Sequence, residues 1–383
     1  MAEAKDKASY RVVQWATGNI GTRTLRTAIE HPRLDVVGVF VHSPAKAGLD
    51  AGELCGLPPL GVRATTSLDD VTALEPDCVL YTPRELDADA VCALLASGTN
   101  IVATRTDFHH PAAMDQSLRR RVEAACEQGD TSIHSTGSSP GFITEALPLV
   151  LSSLQRRLDG LLIEEFADLS RRDSPGLLFE VMGFGGREAA FDEHRLADLR
   201  ASFGPSLRML ADTLGLEVEQ TEVQGEFART PRRTDIAAGT IEAGTVAAQR
   251  ITVAWTRAGR PVLRFRATWY CTKDLDRSWE LSDTGWRLTV DGDAPLDVTI
   301  RFPVAPERAA EVYPGYTAHR AVNAVPLVCE APAGIRTTAD LPQIIPVLAR
   351  AEQVAETGAR LTTADVTAKG RYTTGRHGGP IVG

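Results

Sequence analysis

The sequence predicts an α/β fold: an N-terminal doubly wound parallel sheet, followed by an α+β domain built on a largely antiparallel sheet. Two observations carry this. Residues 10–43 read as strand, small-residue turn, helix and strand, and from about Leu161 strand follows strand. In the first unit, Val12, Val13 and Trp15 lead into Ala16-Thr17-Gly18-Asn19-Ile20-Gly21, a helical stretch runs to His31-Pro32, and Leu34 to Val41 closes the unit. That is the Rossmann βαβ pattern, in which Gly18 lets backbone approach a pyrophosphate and Gly21 lets the helix sit close to the strand. The helix N-terminus then points N–H groups at the anion. Ala16 stands at the first glycine position of G-x-G-x-x-G, which predicts ordinary backbone angles there.

The alternation continues through a short helix at 51–55, a strand Cys78 to Tyr81, a helix Asp87 to Ser97, a strand at 101–103, an amphipathic helix Asp115 to Gln128 and a strand Ser132 to His134. Sites in such sheets lie beyond the carboxyl ends of the strands, which selects Tyr81-Thr82-Pro83, Thr104 to His110 and His134 to Pro140. Pro140 is expected to open a helix that runs to about Leu154. The strands expected beyond it are Leu161–Phe166, Thr245–Arg257, Pro261–Cys271, Gly285–Asp291 and Leu296–Phe302, interrupted by a helical insert from Glu188 to Leu214. The domains expected are a dinucleotide-binding domain over 9–145, a substrate and dimerisation domain over 146–320, a return segment over 321–355 packing on the first domain, and a polar tail over 356–383.

The chain has 383 residues, with 41 basic against 50 acidic and a net charge of −9, which argues against nucleic acid or an anionic membrane surface as partner. No apolar run reaches a membrane span and the first residues do not read as a signal peptide, so a cytoplasmic protein is expected. Six cysteines make no Cys-x-x-Cys pair, which predicts reduced, mostly buried thiols and no structural metal.

At the end of the second strand an NAD-preferring protein carries an acid for the ribose 2′-hydroxyl. Here the chain reads His42-Ser43-Pro44-Ala45-Lys46, groups that suit a 2′-phosphate, so NADP is expected, with NAD as the alternative. The cofactor-binding candidates are Thr17, Gly18, Asn19, Ile20, His42, Ser43, Lys46, Tyr81, Thr82, Pro83, Thr104, Arg105 and Asn323. Asp107, at a strand's carboxyl end, is the catalytic candidate; capping its own loop is the alternative. His109 and His110 are candidates for proton relay or for capping the helix that Pro111 begins, and His134 reads as a hydrogen-bonded strand histidine. Phe142, Phe184 and His110 are the substrate-site candidates, and four tryptophans, Trp255, Trp269, Trp279 and Trp286, read as sheet core, dimer interface or pocket lining.

Three segments, Trp15 to Gly21, Ser135 to Phe142 and Val322-Asn323-Ala324-Val325-Pro326, resemble the dihydrodipicolinate-reductase-like superfamily. Within it, the chain is similar to the 2,4-diaminopentanoate dehydrogenase and native amine dehydrogenase branch, closest to its actinobacterial members. Dihydrodipicolinate reductase itself fits poorly: its His-His pair belongs in the second domain, whereas His109-His110 lies in the first, and Arg171 to Gly176 lacks the Ser-Gly-Thr of its anion loop. The branch carries adjacent glutamates before a Tyr-Pro step; here Thr106 replaces the first and Asp107, one methylene shorter, meets the second.

The resemblance implies hydride transfer between a nicotinamide cofactor and a small amine or carbonyl at a C–N bond, by reversible oxidative deamination or imine reduction. It also places Asn323 on a strand beside the nicotinamide. A carbonyl or alcohol oxidoreductase and a non-catalytic NADP(H) sensor are the alternatives. Apolar strands such as Val262 to Tyr270 and Leu296 to Phe302 need both faces covered, which together with the resemblance predicts a homodimer with each active site between the two domains.

Overall fold

The computed structural model describes residues 8–348, Ala189 and Asp192 excepted, so the expected tail lies outside the described residues. The first sheet is built from β1 (Tyr10–Trp15), β2 (Leu34–Phe40), β3 (Ala64–Thr65), β4 (Cys78–Tyr81), β5 (Asn100–Ala103) and β6 (Ser132–Ser135). Between them run α1 (Asn19–Ile29), α2 (Ala51–Leu54), α3 (Leu68–Ala73), α4 (Ala88–Ala96) and α5 (Gln116–Gly129). Central strands are buried on both faces, as β4 is at all four positions, because helices cover each side.

Caps fix where the helices begin. Ser67 starts α3, Asp87 starts α4 and Asp115 starts α5, each accepting a backbone N–H from the first turn. α1 differs: Gly18 caps it without a side-chain bond and its first turn holds no acid.

Beyond β6, residues Ser138–Ala146 form a π-helical segment, not the regular helix expected from Pro140. Pro140 is extended (ψ 167°) and Gly141 has φ 119°, so the chain turns sharply before α6 (Leu147–Ser152). The second sheet contains β7 (Leu158–Asp168), β8 (Gln220–Arg229), β11 (Val246–Arg257), β12 (Arg260–Tyr270), β13 (Gly285–Gly292) and β14 (Leu296–Arg301). A small hairpin, β9 (Thr234–Ile236) with β10 (Gly239–Ile241), stands beside it, and α7 (Glu193–Thr213) covers one face. The strand order is β14-β13-β7-β12-β11-β8, with β7 and β12 parallel and the other pairs antiparallel.

Most of the apolar residues of these strands face one way. Leu161, Ile163, Val253, Leu263, Phe265 and Leu288 pack with Phe203 and Leu207 of α7. The alternate positions carry Arg250, Arg264, Arg266, Glu164 and Arg287, in register across neighbouring strands. The expectation of a second apolar face is corrected in part: Glu164, Arg264, Arg266 and Arg287 make much of the outer face polar, while Leu162, Phe166, Val262 and Tyr270 also lie on it.

The chain then returns. α8 (Ala309–Cys329) buries Ala318, Ala321, Val322, Ala324, Val325 and Val328 against the first domain's core, and β15 (Gly334–Arg336) pairs parallel with β6. The first sheet thus runs β15-β6-β5-β4-β1-β2-β3. The segment around Asn323 is helix, not the strand expected: its small apolar residues recur at helical spacing, and that spacing decides the outcome. Among the described residues all six cysteines are free thiols, and no helix is long and apolar enough to cross a membrane.

A Cβ on Gly21 would lie 2.2 Å from the Ala16 carbonyl oxygen and 2.7 Å from Thr82 Oγ1. Gly21→Ala is therefore expected to cost about 1–3 kcal/mol through overpacking. Urea denaturation measures it; an unchanged midpoint would mean that α1 can move off β1 freely.

Candidate active site

The order of the parallel sheet reverses between β1 and β4, and their carboxyl ends frame a crevice. The turn after β1 is held by Gln14, a 1% exposed side chain whose role the sequence reading missed. Its Nε2 donates to the Ala16 carbonyl and to Thr82 Oγ1, both at 2.8 Å. Thr82 Oγ1 donates in turn to the Trp15 carbonyl at 3.0 Å. Ala16 takes φ 72°, so the ordinary angles expected of it are corrected; the left-handed turn is made by an alanine whose carbonyl is pinned.

Space and charge at this turn suit an anion. A Cβ on Gly18 would meet nothing within 4 Å, and the α1 N-terminus above it has no side-chain cap. Lys46 Nζ donates to the Thr17 carbonyl at 3.0 Å and to its Oγ1 at 3.1 Å, bringing a cation beside the turn. Asn19 accepts a hydrogen bond from Arg23 at 2.7 Å. Ile20 lies in the first turn of α1. His42 and Ser43 are exposed at the end of β2, with His42 edge-on to Phe40.

Tyr81 is fully buried, and its hydroxyl accepts the Asp87 N–H at 3.0 Å. Burial pushes the phenol up from its ordinary value, and its hydroxyl is bonded to the start of α4. Thr104 N–H donates to the Tyr81 carbonyl. Arg105 donates to the carbonyls of Pro83 and Arg84 and, through Nε at 2.7 Å, to Asp107 Oδ2. The candidate catalytic carboxylate is thus paired with a cation from its own loop.

His109 and His110 part company. His109 Nδ1 lies 2.5 Å from Glu145 Oε1, and the two side chains are 2% and 0% exposed. Ser206 and Thr338 hydroxyls also donate to Glu145. Burial pushes the Glu145 carboxyl up, but His109 and these hydroxyls outweigh it and hold it below the usual glutamate range. His110 caps the turn Pro111–Ala113 by backbone and points Nε2 at Asp212 of α7, 2.8 Å away.

Phe142 lines a cavity of about 420 Å³ with Trp286, Phe302, Tyr316, Arg320 and Asn323. Arg320, absent from the sequence candidates, lies over the Phe142 ring and donates Nε to Thr136 Oγ1 at 3.2 Å. Phe184 is corrected from pocket wall to core: it is 2% exposed, packed with Leu178, Phe191, Phe227 and Ile251. Of the tryptophans, Trp255 is core, Trp279 lies under the Arg250 guanidinium, and Trp269 and Trp286 both donate indole N–H to Glu165.

The parallel sheet and the uncapped turn at its switch point define a dinucleotide-binding fold, and its relatives make the chain an NAD(P)-dependent dehydrogenase. Residues 12–127 match the family model for the dihydrodipicolinate reductase N-terminus, and residues 178–357 match that for the 2,4-diaminopentanoate dehydrogenase C-terminal domain. An amine dehydrogenase of Streptomyces virginiae is 29% identical over 346 residues, covering 86% of this chain and 95% of the relative. A 4-hydroxy-tetrahydrodipicolinate reductase of Synechocystis sp. is 26% identical over 111 residues, 29% of this chain and 33% of its own. In fold, the solved amine dehydrogenase of Mycobacterium smegmatis superposes with a TM-score of 0.68 at 18% identity, covering 88% of this chain and 97% of that one. The chain is thus similar in its first half to dihydrodipicolinate reductases, in its second half to 2,4-diaminopentanoate dehydrogenase, and over most of its length to an amine dehydrogenase.

His134 is the hydrogen-bonded strand histidine expected: Nδ1 lies 2.8 Å from the Arg336 carbonyl, and burial lowers its pKa to about 4. A lowered histidine pKa gives stability that is complete above the unfolded value near 6.5 and is lost as pH falls toward 4. Between pH 7 and pH 5 this group should remove roughly 2 kcal/mol of folding stability. His134→Gln should flatten that slope in urea titrations at the two pH values; an unchanged slope refutes the assignment.

Proposed function

We propose that the protein is an NAD(P)-dependent amine dehydrogenase, interconverting a small primary amine with a carbonyl and ammonia. The observation that carries this reading is the amine dehydrogenase relative, whose likeness runs through both the nucleotide half and the second domain. Thr17, Gly18, Asn19, Ile20 and the α1 N-terminus would hold the pyrophosphate, and Thr82, Pro83, Thr104 and Arg105 would border the nicotinamide half. A bound nicotinamide supplies the hydride acceptor. The substrate's C–H bond gives up a hydride, the nitrogen lone pair forms the iminium, and water adds to carbon before ammonia leaves. Asp107 is assigned to that water, taking its proton as it attacks.

NADP is the preferred cofactor in this reading. No acid ends β2, and exposed His42 and Ser43 with half-buried Lys46 face the position of a 2′-phosphate. A homodimer is also inferred, since β8 and β14 leave two sheet edges to protect. Light scattering giving 41.2 kDa at micromolar concentration would refute the dimer.

Short aliphatic ketones and aldehydes mixed with ammonia and NADPH should consume NADPH, followed by nicotinamide absorbance. Turnover of the same carbonyls without ammonia would instead define a carbonyl reductase. Asp107→Asn should lower kcat about 100-fold with NADPH affinity unchanged. Ser43→Asp should weaken NADPH binding selectively over NADH, measured by nicotinamide fluorescence; equal loss of both removes Ser43 from the site.

A further inference from the structure

A developing cation on the substrate nitrogen calls for an anion that is not already neutralised. Asp107 does not meet that need alone, because Arg105 shares its charge at 2.7 Å. Glu165 of β7 offers a different environment. The register sets it directly opposite Trp286 of β13 and Ala267 of β12, on the helix-covered face of the second sheet. Trp269 Nε1 donates to its Oε1 and Trp286 Nε1 to its Oε2, each at 3.3 Å. Among the described residues no Lys, Arg or His forms an ion pair with it. Its neighbour Glu164, on the outer face, pairs with Arg266 at 3.4 Å.

A half-buried carboxylate whose hydrogen bonds come from neutral donors has lost part of its hydration and gains from a cationic partner. Both indoles are spent on it in fixed geometry, so each oxygen retains lone pairs for a further donor. Trp286 also forms a wall of the 420 Å³ cavity, which Arg301 and Arg320 line as well, with Phe142 6.1 Å and Phe302 4.6 Å from its ring centroid. A carboxylate beside aromatic faces is the chemistry that recognises an alkylammonium: charge pairing, N–H donors, and cation–π attraction from the rings.

We propose that Glu165, held by Trp269 and Trp286, binds the ammonium group of a primary alkylamine whose apolar body occupies the cavity lined by Phe142 and Trp286. This rests on the amine dehydrogenase reading for its substrate class, but its test does not need turnover. Because two indoles bond to Glu165, tryptophan fluorescence reports ligand binding directly. Butylammonium chloride and 1-butanol, titrated into the full-length protein at matched ionic strength, compare a charged ligand with a neutral one of similar shape.

The expected result is saturable binding of butylammonium at least about 10-fold tighter than 1-butanol. Glu165→Gln should erase that difference while its melting temperature stays near wild type. Equal binding of the two ligands by wild type overturns the proposal, as does a Gln variant that keeps the difference. If the variant fails to fold, the wild-type comparison alone decides. In turnover, Glu165→Gln should raise the KM for amine roughly 10- to 100-fold and leave that for the carbonyl unchanged. Deamination with an unchanged amine KM in the variant refutes the site and leaves the activity standing. Tight ammonium binding without deamination by wild type refutes the activity and leaves the site standing.

Discussion

The carboxylate of Glu145 is the contact on which the arrangement of the site depends. It has no exposed surface, and its partners come from three other segments: His109 from the loop after β5, Ser206 from α7, and Thr338 from the stretch after β15. Glu145 itself belongs to the π-helical segment that leaves the first sheet. One buried charge therefore ties the nucleotide sheet, the second domain's helix and the returning chain together. Such a group is costly to bury unless every lone pair is used, and here the donors are in place. Removing one partner would strand a charge in the interior, which gives this junction little tolerance for change.

A second constraint works through backbone at the crevice. The β1 turn packs α1 so closely that Gly21 faces the Ala16 carbonyl, and Ala16 takes a left-handed conformation that alanine adopts at some cost. Gln14 compensates by bonding the same carbonyl from beneath and linking it to Thr82 at the end of β4. The two strands at the switch point are thereby coupled by one side-chain amide. The turn is fixed from the core, and its solvent side, at Gly18 and the α1 N-terminus, stays open to a ligand.

Much of this was legible in the residues. The βαβ unit, the strands β7, β11, β12, β13 and β14 and the helix starts at Asp87 and Asp115 follow from periodicity and capping, which act over a few neighbours, whereas β8, β9 and β10 were not expected. What escaped was set by distant partners. Ala16 takes its angle from Gln14 and Thr82, and Gln14 reads in sequence as one more strand residue. Phe184 looked like a pocket wall because it follows a glycine, yet Phe191 and Phe227 close over it. The segment around Asn323 has apolar residues that satisfy either period over a short window, and only its full span from Ala309 to Cys329 shows the helical one. Glu145 is a single acid in apolar surroundings and Glu165 one of an adjacent pair with Glu164, and nothing local distinguishes a junction from a ligand site.

The placement of negative charge separates this chain from the pattern it resembles. With Thr106 and Asp107 where adjacent glutamates stand in the branch, the loop after β5 carries one short acid, bonded by Arg105, which also grips the carbonyls of Pro83 and Arg84. The Arg105–Asp107 pair therefore stiffens the edge of the crevice at β4 and β5 while lowering the net field that the loop exerts on a substrate. Glu165 stands in the second domain, on the face of the sheet opposite to Arg264, Arg266 and Arg287, with indole N–H groups as its partners. The same alternation that sets the core thus also places this acid beside Trp286, which lines the aromatic cavity.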